Sequence, residues 1–182
     1  MTDKEIVEEY NNGSREKAFN ELVKTYSERV YWLIRRFVLS HEDADDLVQE
    51  VFLKVWKYLP GFRGESGLFT WIYKIATNEA LNFLHRQKIR SALQFESLSS
   101  ELERRIDDDP YFNGNNAVIM LHKAIATLPE KQKTVFLMRY YEELPYEEIS
   151  AITGTSVGAL KASYHIAYEK IREHLEKNKD WD

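Results

Sequence analysis

The stretch LPYEEISAITGTSVGALKASYHIAYEKIREHL, Leu144 to Leu175, constrains the fold most, because it reads as two helices joined by one tight turn. Pro145 suits a first helical position, where its missing N–H would be unpaired anyway. Gly154 suits the residue just past a helix end, where a left-handed backbone is required. Thr155 or Ser156 can cap the next helix through a side-chain oxygen. From Leu160 the apolar residues recur at Tyr164, Ala167, Tyr168, Ile171 and Leu175, a helical stripe that calls for burial. The opposite side carries Val157, Lys161, Ala162, Ser163 and His165, near the end at which a recognition helix meets base edges in a major groove. The pattern is a helix-turn-helix, but an αα-hairpin with no nucleic-acid role has a similar signature.

Three amphipathic segments lie in the first half of the chain. Phe19, Leu22, Val23, Tyr26, Val30, Leu33, Ile34 and Phe37 keep a spacing of three and four, which predicts a helix with a core face. Ser40 followed by Asp43 predicts a cap on a second helix, Asp43 to Leu59, ended by Pro60-Gly61. Its periodic face is Leu47, Val48, Val51, Phe52, Val55 and Leu59. Leu53 and Trp56 widen that apolar arc beside an edge of Asp46, Gln49 and Glu50, so this helix has surface for a second partner. A third helix, about Thr70 to Gln87, divides at about 100° per residue into a buried side of Phe69, Ile72, Tyr73, Ala76, Ala80, Phe83 and Leu84 and an opposite stripe. That stripe holds Trp71, Lys74, Ile75, Asn78, Asn82 and His85, groups that can stack on bases, bond their edges and approach phosphates. Solvated asparagines and a tryptophan covering a neighbouring helix would look the same.

Ser91 to Asn115, with Ser99-Ser100, Asp107-Asp108-Asp109-Pro110 and Asn113-Gly114-Asn115, is expected to be a linker with too few apolar residues to bury much. Helices resume with Asn116 as cap and Val118, Leu121, Ile125 and Leu128 as a stripe, and Pro129 opens another around Val135, Phe136 and Tyr140.

The 182 residues suit two small helical units as well as one domain, and the absence of cysteine excludes a disulfide framework and thiolate zinc sites. Met1 to Asn12 is charged and unlike a signal peptide, and no apolar run approaches the roughly 20 residues that span a bilayer, so a cytoplasmic protein without direct membrane insertion is expected. A net charge of −5 argues against a simple nucleic-acid binder, yet its distribution is uneven. Phe62 to Arg90 sets Arg63, Lys74, Arg86, Lys88 and Arg90 against Glu65 and Glu79, and the helix from Ser156 onward is also net basic. Between them, Ser91 to Asn116 is acidic. Enzyme signatures fail on inspection. His41-Glu42-Asp43 lacks the second histidine of a zinc protease motif, where Asp45 stands, and Gly64-Glu65-Ser66-Gly67 has the form of a nucleic-acid-binding GxxG loop without that fold's strands. No catalytic residue, metal or cofactor is expected.

In order, DADDLVQEVFLKVW, GFRGESGLFTWIYKIATNEALNFL and LPEKQKTVFLMRYYEELPYEEISAITGTSVGALKASYHIAYEKI resemble the extracytoplasmic-function (ECF) sigma factors of the sigma-70 family, over about Ala18 to Leu175. The resemblance implies an all-α chain of two small helical domains joined by a flexible linker. Residues 1–90 would bind core RNA polymerase and recognise and melt the minus-10 promoter element, 91–115 would be the acidic linker, and 116–182 would read the minus-35 element. It places Asp46, Gln49, Glu50, Phe52 and Trp56 on the polymerase-docking surface. Phe62, Trp71, Asn78, Asn82, Arg86 and Lys88 fall to the minus-10 DNA, and Lys161, Ala162, Ser163, His165, Lys170 and Arg172 to the minus-35 duplex. Promoter DNA and core polymerase would be the partners, with an anti-sigma factor as silencer. Unstacking a base step costs a few kcal/mol, and each captured base can return roughly 1–3 kcal/mol, so melting needs no ATP. The resemblance also implies that the linker threads into the polymerase near the path of the nascent RNA, where Asp107, Asp108 and Asp109 would imitate a nucleic acid. Relatives often carry arginines where this chain has Ser163 and Ile166, and usually apolar or small residues in place of Ser150 and Thr155, so familiar base preferences do not transfer. The alternative is a helix-turn-helix regulator that binds a duplex operator alone and is no polymerase subunit.

Overall fold

The computed structural model describes residues 1–112 and 115–178, and the described residues form nine α-helices and no strand. α1 (Asp3–Asn11) has no counterpart in the sequence reading, although its signal is present: Thr2 and Glu5 form a capping box in which the Thr2 Oγ1 accepts from the Glu5 N–H at 3.3 Å and the Glu5 carboxylate accepts from the Thr2 N–H at 2.6 Å. Its Ile6 is buried against α2 (Arg15–Val38), whose Leu22, Tyr26, Val30, Leu33, Ile34 and Phe37 supply the expected stripe. α2 ends at Leu39, a left-handed residue with φ of 56°. Ser40 then caps α3 (His41–Tyr58), its Oγ accepting from the Asp43 N–H as the sequence predicts. A 3₁₀ turn at Leu59–Gly61 leads to α4 (Leu68–Leu93), which is longer than expected at both ends. α1 to α4 pack around one core.

The segment after α4 departs from expectation. It carries α5 (Leu98–Asp108), capped by Ser97, with Leu102 and Ile106 buried, and a short 3₁₀ turn at Pro110–Phe112 that buries Phe112. Leu98, Leu102 and Ile106 recur every four residues, enough to make one narrow stripe among charged neighbours. Complete burial of such a side chain is worth about 1.5–3 kcal/mol, so Leu102 and Ile106, with the partly buried Leu98, help seat the short helix on the neighbouring α4 and α6. Asn113 and Gly114, part of the expected turn chemistry here, lie outside the described residues, as does Lys179 of the C-terminal basic stretch.

α6 (Asn116–Ala126) is capped one residue earlier than expected, by Asn115, whose side-chain oxygen accepts from the Val118 N–H. α7 (Glu130–Tyr140) follows Pro129, and Pro145 stands at the N-cap of α8 (Tyr146–Thr153) rather than inside its first turn. Gly154 (φ 74°) ends α8 in the left-handed conformation, and Ser156 caps α9 (Val157–Lys177). α9 packs on α6, α7 and α8. The two groups of helices also touch. α8 lies against α4, α5 bridges α4 and α6, and α7 reaches α2.

Candidate docking and nucleic-acid interfaces

On α3 the inner stripe of Leu47, Val51, Phe52 and Val55 is buried, and the outer face is left to solvent. Asp46, Gln49 and Glu50 are exposed there, joined one and two turns on by Leu53, 69% exposed, and Trp56, 43% exposed. Asp46 and Gln49 have no hydrogen-bond or ion-pair partner among the described residues. Phe52, placed on the docking surface by the resemblance, is only 7% exposed and packs into the core, so it supports this face from beneath; Leu53 takes the surface position. The Trp56 indole meets Phe19 of α2 edge to face at 5.0 Å, which fixes the ring's orientation at the rim.

The second face begins in the loop before α4. Phe62 and Trp71 pack at 5.0 Å between ring centroids, and with Gly61, Arg63, Gly64, Glu65 and Ser66 they line an open cleft of about 200 Å³. Gly64 has φ of 72°, a backbone state that a larger side chain would strain. From Trp71 the exposed Lys74, Asn78 and Asn82 continue along α4, with Arg86 and Lys88 exposed beyond them. The inner side of the helix buries Ile72, Tyr73, Ala76, Ala80 and Leu84, while Phe69 and Phe83 are partly covered. Four polar residues of α4 also turn inward, Thr77, Glu79, Gln87 and Ser91. Glu79 is buried and receives Lys54 of α3, and Thr77 is buried with its Oγ1 unpartnered among the described residues.

The third face is the α8–turn–α9 motif. Leu160, Ala167 and Ile171 are buried, whereas Lys161, Ala162 and His165 are exposed, as the spacing requires. The Lys161 ammonium lies 5.8 Å from the Tyr146 ring centre, and the exposed Arg172 pairs with Glu169 one turn back, with Lys170 exposed beside it. Tyr168 does not join the buried stripe. It is 53% exposed and lines an apolar groove of about 350 Å³ with Leu121, Phe136, Tyr140, Ile171 and Leu175.

These faces are not independent. Ser163 of α9 and Asn78 of α4 line one cavity of about 140 Å³, together with Leu81, Glu130 and Thr155. His85 of α4 bonds to Glu130 of α7. The linker acids are engaged within the chain as well, Asp107 with Lys123 at 2.7 Å and Asp109 with the buried Arg35. Burial pushes the Lys133 ammonium down to about 8 against the opposing pull of Glu130, and it faces a cavity between α4, α5 and α7. Burial, with help from Arg36 and Arg35, holds His122 down to about 4, so its ring is neutral where it stacks on Tyr141.

Comparison with known proteins fits this geometry. A family model described as Sigma-70 region 2 matches residues 22–89, and one described as Sigma-70, region 4 matches residues 119–171. The ECF RNA polymerase sigma-E factor of Haemophilus influenzae is 34% identical, over 97% of this chain and 96% of that protein. The ECF RNA polymerase sigma-E factor of Escherichia coli K12 is also 34% identical, over 94% and 93%. The RNA polymerase sigma-H factor of Pseudomonas aeruginosa is 30% identical, over 96% and 94%. Among solved structures, CnrH in complex with the cytosolic domain of CnrY superposes with a TM-score of 0.69 at 20% identity, covering 96% of this chain and 97% of that one, a likeness of fold. With near full-length identity above 30% joined to an all-helical, two-part architecture, the chain belongs to the ECF group of the sigma-70 family of RNA polymerase sigma factors.

Proposed function

We propose that this sigma factor divides its work among the three faces described above. Residues 1–90 dock on core RNA polymerase through Asp46, Gln49, Glu50 and Trp56, with Leu53 added and Phe52 holding the face in place. The same unit opens the minus-10 element, stacking unpaired bases on Phe62 and Trp71 and bonding their edges with Asn78 and Asn82, while Arg86 and Lys88 meet phosphates. Residues 116–182 read the minus-35 duplex with Lys161, Ala162, Ser163 and His165, and Lys170 and Arg172 approach the backbone. Residues 91–115 connect the two. The chain acts by binding and capture rather than by covalent chemistry, and it works in the cytoplasm, where its partners are. No helix of the described residues is long and apolar enough to cross a membrane.

The observation that carries this reading is the α4 stripe. Aromatic, amide and cationic side chains lie exposed along one helix face that begins at an open aromatic cleft, beside an α3 face on which Asp46 and Gln49 have no hydrogen-bond or ion-pair partner among the described residues. Such a stripe suits single strands, since stacking serves any base and the amides choose among edges. The solved relative titled as a complex of the sigma factor RpoE with the anti-sigma factor NepR from Bartonella quintana has a TM-score of 0.65 at 22% identity over 88% of this chain and 98% of its own, and we infer an anti-sigma partner here too.

Run-off transcription with purified core polymerase on a genomic library tests the whole. Discrete promoter-dependent transcripts are expected only when this chain is added, and the chain alone should leave no promoter footprint at physiological salt. A specific footprint by the free chain without transcripts would favour an operator-binding regulator instead.

A further inference from the structure

The contact between the two helix groups centres on one acid. Glu142, in the turn after α7, has a side chain only 9% exposed and receives two donors from the other group: the Arg36 guanidinium of α2 at 2.8 Å and the Tyr73 hydroxyl of α4, also at 2.8 Å. Arg36 is oriented by the Tyr141 ring, 4.7 Å beneath it. Tyr73 is fully buried, and burial first and Glu142 second hold its hydroxyl protonated, as a donor must be. Losing one member strands the others in a dry site, so the cluster acts as a unit.

We propose that Glu142 is an intramolecular latch, which keeps the α8–α9 motif seated on α4 and out of reach of duplex DNA in the free factor. The consequence for DNA rests on the assignment of α9 to the minus-35 duplex. A recognition helix must enter a groove about 12 Å wide with walls on both sides. Here Ser163 and Thr155 look across a small cavity onto Asn78 and Leu81, so one wall of that groove would have to pass through α4. The outer face of α3 stays open throughout, so polymerase docking does not wait on the latch.

The closed arrangement is also poised to open. Lys133, 4% exposed, has no hydrogen-bond or ion-pair partner among the described residues, and Thr77 Oγ1 is buried without one. Both costs are relieved when the groups separate, whereas the Glu142 cluster is lost, so the latch is set against a standing load.

The chain contains no cysteine, so Lys24→Cys and Glu173→Cys, both at exposed positions, give a specifically labelled donor–acceptor pair on the full-length protein. Energy transfer in the free factor should fall at least twofold with Glu142→Ala and with Arg36→Glu, and the double exchange Arg36→Glu with Glu142→Arg should recover most of it. Unchanged transfer in both single variants overturns the latch, and so does a loss in both that the double exchange fails to restore. Run-off transcription by Glu142→Ala holoenzyme at saturating core should stay within twofold of wild type. A failed latch with intact transcription leaves the promoter assignment standing, and a working latch on a chain that ignores the minus-35 element removes that assignment alone.

Discussion

α3 and α9 are built alike, each with an inner apolar stripe seated in a core and an outer face rich in polar groups, yet they stand in opposite conditions. The outer face of α3 is open, with Asp46 and Gln49 lacking a hydrogen-bond or ion-pair partner among the described residues and with Leu53 and Trp56 exposed. The N-terminal half of α9 is turned so that Ser163 looks onto α4. Amphipathic spacing reveals which residues can bind something; availability is decided by packing between elements far apart in sequence.

The contrast can be broken most strongly on α3. Asp46→Lys with Glu50→Lys should weaken binding to core polymerase at least 100-fold, because reversing charges at a docking face replaces attraction by repulsion of several kcal/mol. Both side chains are exposed and remote from the core, so the melting temperature should move by no more than about 2 °C. Fluorescence titration against core reads the first effect and calorimetry the second; undiminished affinity would mean that α3 is not the docking helix.

A smaller effect is expected on α9. Lys161→Ala with His165→Ala should lower run-off transcription from minus-35-dependent promoters about tenfold, given roughly 1–3 kcal/mol for each good base contact, with core affinity unchanged. If transcripts persist at full level, base readout lies elsewhere on the motif.

The smallest effect sharpens the comparison from within the contact. Lys133→Met should raise the melting temperature by about 3 °C at pH 7, since it removes an ammonium whose burial outweighs the pull of Glu130. Its folded value near 8 lies below the ordinary 10.5, so below pH 8 the lysine is charged in both folded and unfolded chains and its penalty is full. As pH rises from about 8 toward 10.5, the folded chain sheds that proton while the unfolded chain retains it, wild type gains stability, and the advantage of the variant shrinks. The charged and titratable neighbours in the cavity are Glu130, His85 and Lys88, and a gain independent of pH would place the lysine in water rather than in the contact.

Much of this architecture is legible in the sequence. The helix-turn-helix, the caps at Ser40 and Ser156, and the two faces of α4 all follow from local signals that depend on neighbours three or four residues away. Two helices escape for different reasons. α1 announces itself in the Thr2 and Glu5 capping box, hidden within a stretch read only for its charge. α5 rests on Leu98, Leu102 and Ile106, a stripe one residue wide that gains meaning only when α4 and α6 are there to receive it. Phe52 and Tyr168 show the same limit in opposite directions, one drawn inward and one left outside, since periodicity fixes a side of the helix but not the depth of its neighbours. The Glu142 cluster joins residues 69 and 106 positions apart, beyond any local signal.

α4 is also a mechanical element. It runs 26 residues, about 39 Å, with neither glycine nor proline inside it. It therefore behaves as a stiff beam, with the aromatic cleft at one end and the seat of the α8–α9 motif along its length. A beam cannot bend to part the two halves of the molecule, so the opening proposed for the Glu142 latch would turn at the segment between α4 and α5, which holds Phe95 in a left-handed conformation. The same stiffness holds the cleft and the seat of the α8–α9 motif at a fixed spacing, so α4 carries both as one body.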